Sequence, residues 1–393
     1  MVGRSVLRWR NALVVAEIAV SIVLLTGSGL LLRSFIKLEG VELGFATDRV
    51  VTMNINLPPA RYGTAEHRLR FFEELTSRVS TLPGVDGVGF ANRFPMRGGW
   101  SGSLIVHDPN NPVEVDLQAV STGYFSTLGI PLVGGRYFDA SDRAGSPAAA
   151  VVNTAFANSY FPGRDPIGQR VWRTQNSEPV TIVGVVGDVR RAGKSAKIQP
   201  GLYYPAAQTS LYPVALADFA VRSATIPKTL LPAIRDAVRA IDRTQPIGNV
   251  RILDEVISES VAQRRFEMIL IMLFAAVALA LTVVGIYGVV SYSVSQRLSE
   301  FGVRAALGAS RTDILGMVLG QAGMLIAIGL GLGLPGSLVL SQTLTTMLFE
   351  VPSYDPLTFA GVAVLLTTVA MVSSYLPARR AAGIQPATAL RGH

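Results

Sequence analysis

QRLSEFGVRAALGASR, at residues 296–311, is a short charged segment between two long apolar runs. The run before it occupies 268–290 and the run after it occupies 314–340, and neither contains a charged residue. Each is longer than the roughly 18 residues that make a candidate membrane-spanning helix. If both runs cross a membrane, the charged segment cannot be a core helix. It must lie at one membrane surface, where a water-soluble partner can touch it.

The composition favours a membrane protein. Of 393 residues, 49% are hydrophobic and 16% are charged, whereas soluble domains carry roughly 25% charged residues. The net charge of +8 comes with Arg residues beside apolar runs, which indicates membrane topology and not nucleic-acid binding. The chain has no Cys, which excludes disulfides and thiolate chemistry, and its three His are too scattered to predict a metal site.

Two further apolar runs, at 12–32 and 357–376, are also long enough to span a membrane. A cleaved signal peptide is the alternative for the first run, but such a peptide has an apolar region of about 7–15 residues and a small-residue cleavage site. This run is longer and Arg33 follows it directly, so we predict an uncleaved anchor. Glu17 lies near the start of the run and is expected to extend to the headgroups; a buried functional carboxylate is the alternative.

The Arg residues set the orientation of the spans. The stub 1–11, the loop 291–313 and the tail 377–393 contain three Arg each, whereas the loop 341–356 contains none. By the positive-inside rule the three basic segments are cytoplasmic. We predict a cytoplasmic stub at 1–11, transmembrane helices at 12–33, 267–291, 314–341 and 357–377, a large extracytoplasmic domain at 34–266, a cytoplasmic coupling segment at 292–313, an extracytoplasmic loop at 342–356 and a cytoplasmic tail at 378–393.

The region 34–262 has the patterns of a water-soluble domain. The predicted strands are Val50–Leu57, Val85–Phe90, Val113–Val120, Ala148–Val152, Val180–Val186 and Phe219–Val221. The predicted helices are Glu66–Leu82, Tyr124–Leu128, Asn153–Tyr160, Leu230–Ile241 and Leu253–Arg265. Because the elements are interleaved without regular βαβ spacing, we predict a mixed α+β domain with room for two lobes. The fold class is therefore an integral membrane α-helical protein with four transmembrane helices and a large extracytoplasmic α+β domain.

The coupling segment is predicted to contain a helix over 297–309 that ends near Gly308. Leu298, Phe301, Ala305 and Leu307 are available for an apolar face of this helix. The charged side chains are spaced to pair along the helix, as Arg297 with Glu300 and Glu300 with Arg304. One interpretation is an amphipathic turn resting on headgroups. The other is a docking helix that receives motion from a cytoplasmic protein.

Small residues and prolines suggest features of the last two spans. Gly316 and Gly320 form a small-xxx-small pair that would allow close helix contact, although ordinary glycine abundance explains the pair almost equally well. Pro335 is predicted to kink or end the third span near its far end. In the tail, Pro377, Gly383 and Pro386 predict a bent segment in place of a long helix.

Motifs for chemistry are weak or missing from the sequence. Gly193-Lys194-Ser195 is similar to the end of a phosphate-binding loop, but that loop needs a Gly where Asp188 stands. The segment also lies in the predicted outer domain, away from cytoplasmic ATP. No G-x-S-x-G and no H-E-x-x-H is present. We therefore predict no catalytic residues, no metal site and no bound cofactor in this chain.

The order of one span, a large outer domain and three clustered spans resembles the MacB/FtsX-type permeases of ABC transporters. The most specific part is RLSEFGVRAALGA at 297–309, which is similar to the family's cytoplasmic segment between its second and third spans. The tail adds PARRAA at 377–382, Pro386 and ALR at 389–391. The outer domain adds GYFSTLGI at 123–130, VVN at 151–153, YFPG at 160–163, DPIG at 165–168 and VGVVGDV at 183–189. These resemble the MacB periplasmic core, particularly in the duplicated orphan permeases named after Acidobacteria, of which this chain resembles one half.

The resemblance implies a mechanical function. A separate ABC ATPase subunit would bind ATP and dock on the cytoplasmic side, two permease units would pair in the membrane, and the motion would drive export of a substrate. The residues expected to couple the ATPase are Arg297, Glu300, Phe301, Gly302, Arg304, Leu307 and Gly308. The continuous segment 253–290 is the candidate lever. An FtsX-like signal relay to an extracytoplasmic partner, such as a cell-wall hydrolase, is the alternative, and a membrane-anchored outer enzyme or structural protein is a third. Membrane lipids are expected contacts, and the transported substrate is not encoded in any recognisable motif.

Overall fold

A computed structural model describes residues 2–98, 101–208, 216–225 and 227–383. The described helices are α1 (Val2–Glu39), α2 (Ala65–Ser80), α3 (Tyr124–Leu128), α4 (Thr154–Tyr160), α5 (Leu231–Ile241), α6 (Leu253–Gln296), α7 (Leu298–Ala306), α8 (Arg311–Thr343) and α9 (Pro356–Ala382). The described strands are β1 (Val50–Asn54), β2 (Val85–Ala91), β3 (Ser101–Leu104), β4 (Val113–Val120), β5 (Leu132–Gly135), β6 (Ala149–Asn153), β7 (Arg170–Val171), β8 (Val180–Val186), β9 (Gly201–Pro205), β10 (Asp218–Ser223) and β11 (Gly248–Ile252). They fall into two compact units: a helical unit, the described part of Met1–Gly40 with Gln263–His393, and a sheet unit, Val41–Ala262.

The sheet unit is built on one mixed sheet with the strand order β11-β1-β10-β2-β4-β9-β6-β8-β5 among the described residues. Strand β3 pairs with β4, and β7 pairs with β8. The pairs β4–β9 and β6–β8 are parallel, whereas the other pairs are antiparallel. The predicted α+β domain is confirmed. Strands β3, β5, β7, β9 and β11 were not predicted from the sequence.

The two halves of this sheet meet at a short junction between β2 and β4. Strands β10 and β2 share six residue pairs, with a register shift before the last, but β2 and β4 share only the pair Ala91 and Val120. The backbone N–H of Ser121 donates to the Phe90 carbonyl at 2.9 Å, and the Phe90 N–H donates to the Ser121 hydroxyl at 2.9 Å. The Asn92 N–H donates to the Ala119 carbonyl at 3.1 Å. Apart from these three hydrogen bonds, little of the backbone ladder joins β2 to β4.

Alternation along the strands gives the sheet two apolar faces. In β1, Val51 and Met53 face a core that also contains Phe72 of α2 and Ile234 of α5. Val50 faces a second core. That second core contains Tyr124, Phe125 and Leu128 of α3 together with Leu253 and Ile257 from the first turns of α6. The sheet is therefore covered by helices on both sides, which explains its long apolar strands.

Side-chain caps fix the ends of the short helices. The Thr64 hydroxyl accepts from the His67 N–H at the start of α2. The Asn153 amide oxygen accepts from the Phe156 N–H at 2.9 Å and also from the Gly201 N–H at 2.8 Å, so it joins the start of α4 to β9. These caps explain why each helix starts directly after a strand or turn.

A buried acidic side chain ties the end of α5 to the turn before α2. One Asp242 oxygen accepts from Arg61 at 2.6 Å and from the Tyr62 hydroxyl at 3.0 Å. The other accepts from the Thr244 N–H at 2.9 Å and from its hydroxyl at 2.8 Å. The Thr244 hydrogen bonds, together with the Arg61 guanidinium, hold the pKa of Asp242 well below its ordinary value.

In the helical unit, α1, α6, α8 and α9 are each long and apolar enough to cross a membrane. The predicted four spans are confirmed, and every helix extends beyond the predicted apolar range. Helix α6 is one continuous helix that joins the predicted segment 253–265 to the second span. Helix α1 packs most extensively against α8 and also contacts α9.

Glycines of α8 allow the close approach of α1. An added Cβ at Gly329 would come within 2.7 Å of the Ile18 Cβ, and one at Gly333 within 3.0 Å of the Ala19 Cα. The predicted close contact through Gly316 and Gly320 is wrong, because an added Cβ there would meet nothing within 4 Å. The small-xxx-small pair that packs, Gly329 and Gly333, lies more than three turns further along the same helix.

Two prolines lie inside helices. Helix α8 continues through Pro335 to Thr343, so the helix does not end at this proline, and the kink that was the other expected effect stays a prediction. Helix α9 continues through Pro377 to Ala382 and is capped at Gly383, so the bent tail is wrong for these residues, while Pro386 lies outside the described residues. Membrane helices tolerate proline because neighbouring groups satisfy the freed carbonyls.

Glu17 of α1 faces α6. Its Oε2 is buried beside Gly285 and has no hydrogen-bond partner among the described residues. One turn further on, the Ser21 hydroxyl shares a buried hydrogen bond of 2.7 Å with the Thr282 hydroxyl. The carboxylate therefore does not extend to the headgroups, because it is held at the side of a neighbouring helix.

Candidate functional site

The coupling segment folds as a short helix between two helix ends. Helix α6 ends at Gln296, α7 spans Leu298–Ala306, and Gly308 follows with a φ of 98°. A residue with a side chain rarely adopts this left-handed φ, so glycine suits the turn. The next helix starts with a capping box, in which Ser310 accepts from the Asp313 N–H at 3.2 Å and Asp313 accepts from the Ser310 N–H at 2.9 Å. Only about one turn of non-helical chain therefore separates α7 from α8.

Phe301 anchors α7 to the helical unit. Its side chain is 3% exposed and belongs to the same apolar cluster as Ile314 of α8 and Ala378 and Ala381 of α9. Gly302, the next residue, is also buried. Because the anchor is apolar and closely packed, α7 and the cytoplasmic ends of α8 and α9 form one packed element.

The charged side chains of the coupling segment lie on its surface. An Arg304 guanidinium nitrogen lies 2.8 Å from Glu300 Oε1, and Arg297 Nε lies 3.9 Å from Glu300 Oε2. All three side chains are between 43% and 48% exposed. Exposed pairs of this kind contribute only about 0–1 kcal/mol to stability. Their main consequence is an exposed surface of alternating charge that a partner protein can contact.

Apolar side chains are displayed beside these charges. Leu298, Val303 and Leu307 are 40%, 47% and 83% exposed. Val303 and Leu307 are four residues apart and so share one side of the turn. The predicted single apolar face is wrong, because Phe301 points into the helical unit while Leu298 and Leu307 point out; the Ala305 side chain lies outside the described residues. Val303 was not predicted to lie on the surface. Its spacing of four residues from Leu307 was the only feature of the sequence that could have indicated this.

In the described part of the chain, no group of three His, Asp or Glu residues is placed to hold a metal ion. Gly193 lies in a turn between β8 and β9, where the Ala196 N–H donates to its carbonyl at 3.0 Å. A phosphate-binding loop would instead lead into a helix. The predicted tail residues Pro386 and 389–391 lie outside the described residues.

These features define a multi-pass inner-membrane protein with a large extracytoplasmic domain. Residues 12–241 match the family model of the MacB-like periplasmic core domain, and residues 272–386 match that of the FtsX-like permease C-terminal domain. The chain belongs to the MacB/FtsX-like permease family of ABC transporters.

Curated relatives show the same relationship. The chain is 25% identical to the macrolide export ATP-binding/permease protein MacB of Azoarcus sp. (strain BH72), across 92% of this chain and 57% of that protein. It is 30% identical to the protein of the same name from Rhodopseudomonas palustris (strain HaA2), across 70% of this chain and 42% of that protein. The chain thus spans about half the length of the curated relatives it matches.

Solved structures are also similar to this chain. One is the periplasmic region of MacB from Actinobacillus actinomycetemcomitans, with 16% identity and a TM-score of 0.41 over 57% of this chain and 98% of that one. Another is the extracellular domain of the noncanonic ABC-type transporter YknZ from Gram-positive bacteria, with 16% identity and a TM-score of 0.35 over 51% of this chain and 99% of that one.

Proposed function

We propose that this chain is the permease subunit of a MacB-like ABC exporter and is not itself an enzyme. In this proposal a separate ABC ATPase subunit binds and hydrolyses ATP, and two permease copies pair in the membrane. The membership of the family supports the general role. The observation that carries the coupling role is α7, which is anchored through Phe301 and displays Val303, Leu307 and the Glu300–Arg304 pair to the cytoplasm.

The route of coupling in this proposal is α6. This helix begins at Leu253 in the sheet unit and ends at Gln296, one residue before α7. A displacement of α7 by a docked ATPase would be delivered to the first turns of α6, where Leu253 and Ile257 pack in a core of the sheet unit. Coupling between distant sites needs an element that both sites bias, and a continuous helix is such an element. The sheet unit would then change conformation and expel substrate on the outer side.

The test is co-purification of the ATPase with the full chain in mild detergent. We expect Glu300→Arg combined with Arg304→Glu to lose the ATPase, because the swap keeps the pair along the helix but reverses the charges a partner meets. The matched control is the pair Glu74 and Arg78 of α2, which has the same spacing and the same 2.8 Å contact. Equal recovery of the ATPase by the two swapped variants would refute docking at α7.

A second measurement distinguishes export from the alternative role as a signal relay. Cells that carry the Glu300 and Arg304 swap should accumulate an exported compound that wild-type cells expel. Unchanged accumulation of all tested compounds, together with loss of the ATPase, would favour the relay to an extracytoplasmic partner.

A further inference from the structure

The helical unit contains a large apolar cavity near the extracytoplasmic ends of its spans. The cavity has a volume of about 760 Å³ and lies between α1, α6 and α9. This volume is within the roughly 300–1,000 Å³ typical of ligand sites. Its walls are mainly aliphatic, with Leu25, Leu32, Ile36, Met272, Leu279 and Leu365 among the lining residues.

The cavity opens to the surroundings of the helices. Among its lining residues, Ile36 is 60% exposed and Leu357 is 71% exposed. At membrane depth, aliphatic walls offer no hydrogen bonds to water, so water is a poor occupant of this space. A hydrocarbon chain needs no hydrogen bonds, so these walls suit it better than water.

Two cations of α1 lie where this cavity ends. Arg33 forms an ion pair with Asp355, the residue that caps the start of α9. Lys37, one turn further out, donates to the backbone carbonyl of Glu350 at 2.5 Å and contacts no carboxylate in the described part of the chain. Asp355 is already paired with Arg33, so Lys37 is the cation at the mouth of the cavity that can meet a phosphate group.

Gly361 of α9 has no side chain, and this leaves part of the space that forms the cavity. Where α1 and α9 touch, an added Cβ at Gly29 would come within 2.7 Å of the Thr358 side chain. Three residues after Thr358, an added Cβ at Gly361 would meet nothing within 4 Å, although Gly361 lines the cavity. A larger side chain at this position would therefore occupy the space without disturbing the helix contact.

We propose that this cavity binds an anionic phospholipid of the outer leaflet. One acyl chain lies between α1, α6 and α9, and the headgroup phosphate lies at Lys37. Apart from the hydrogen bond to the Glu350 carbonyl, the N–H donors of Lys37 are available to this phosphate. The site is independent of the coupling role proposed above, because it needs neither ATP nor the ATPase.

The experiment is native mass spectrometry of the full chain purified in mild detergent, with phosphatidylglycerol or phosphatidylcholine added back. We expect phosphatidylglycerol to be retained preferentially. Gly361→Leu should abolish this retention, and Lys37→Gln should lower it about fivefold, since a basic residue near a lipid surface is worth about 1 kcal/mol. Lys37→Arg should retain the lipid.

The matched control for cavity filling is Gly331→Leu on α8. Gly331 is exposed and an added Cβ there would meet nothing within 4 Å, but it does not line the cavity. Equal retention by Gly361→Leu and Gly331→Leu would show that lipid only surrounds the protein, and would overturn the proposal. Equal retention of the two lipids would overturn the preference for an anionic lipid, and displacement by glycerol phosphate alone would show that a free phosphate, not a lipid, is the ligand.

Discussion

The close packing of α1 on α8 can be tested with a single added methyl group. In Gly333→Ala, the new Cβ would lie 2.9 Å from the Ile22 Cβ and 3.0 Å from the Ala19 Cα. One of these atoms belongs to the α1 backbone, so a side-chain rotation cannot relieve both contacts. Overpacking of a well-packed contact costs about 1–3 kcal/mol. The same substitution gains up to about 1 kcal/mol of helix propensity, which would partly hide that cost.

Gly331→Ala removes this ambiguity because it has the same propensity gain on the same helix. Its added Cβ would meet nothing within 4 Å. We therefore expect Gly333→Ala to be less stable than Gly331→Ala by about 1–3 kcal/mol in free energy of unfolding. The measurement is an SDS titration of the full chain in mixed micelles, followed by helical circular dichroism. Stabilities that agree within about 0.5 kcal/mol, the usual effect of a surface substitution, would refute the close contact.

Three further outcomes follow from single contacts. Asp242→Asn should destabilise the sheet unit at neutral pH, because the folded pKa of Asp242 is lowered and its carboxylate therefore stabilises the fold above the unfolded pKa. This stabilisation is lost as the carboxylate is protonated, so the difference in stability between wild type and variant should shrink as pH falls below about 4. Thermal melts from pH 7 to pH 3 check this, and a constant difference would contradict it. Phe301→Ala should cost about 3–5 kcal/mol in the SDS titration, because the side chain is buried, and a neutral effect would contradict its role as anchor. Glu300→Arg with Arg304→Glu should change stability by less than about 1 kcal/mol in the same assay, and a larger loss would mean that the pair is structural.

The strands predicted from the sequence are those with a strong local signal. Val180–Val186 is rich in β-branched residues and forms β8, and Val113–Val120 alternates and forms β4. The missed strands include β5 (Leu132–Gly135) and β9 (Gly201–Pro205), which contain glycine or proline. Strand β9 is nonetheless buried along its whole length, because it pairs with β4 on one side and β6 on the other. Strand formation there comes from its neighbours and not from its own residues, so no local pattern predicts it.

The coupling segment could be placed by sequence but not oriented. Its position between two apolar runs predicts that it lies at a membrane surface, and Gly308 marks its end correctly. Whether Phe301 or Leu307 points inward depends on the packing of α9 beside α7, which no short-range pattern contains. The same reason explains the wrong glycine pair in α8: several glycines are spaced by four, and the rotation of α8 against α1 selects Gly329 and Gly333.

The narrow junction in the sheet has a mechanical consequence for the outer domain. On either side of it the strands are held by long ladders, such as the five residue pairs between β4 and β9, and these resist deformation together. Between β2 and β4 the ladder narrows to one residue pair and a few hydrogen bonds. We therefore expect a torque applied to one half to be taken up first as a change of angle at Ala91 and Val120.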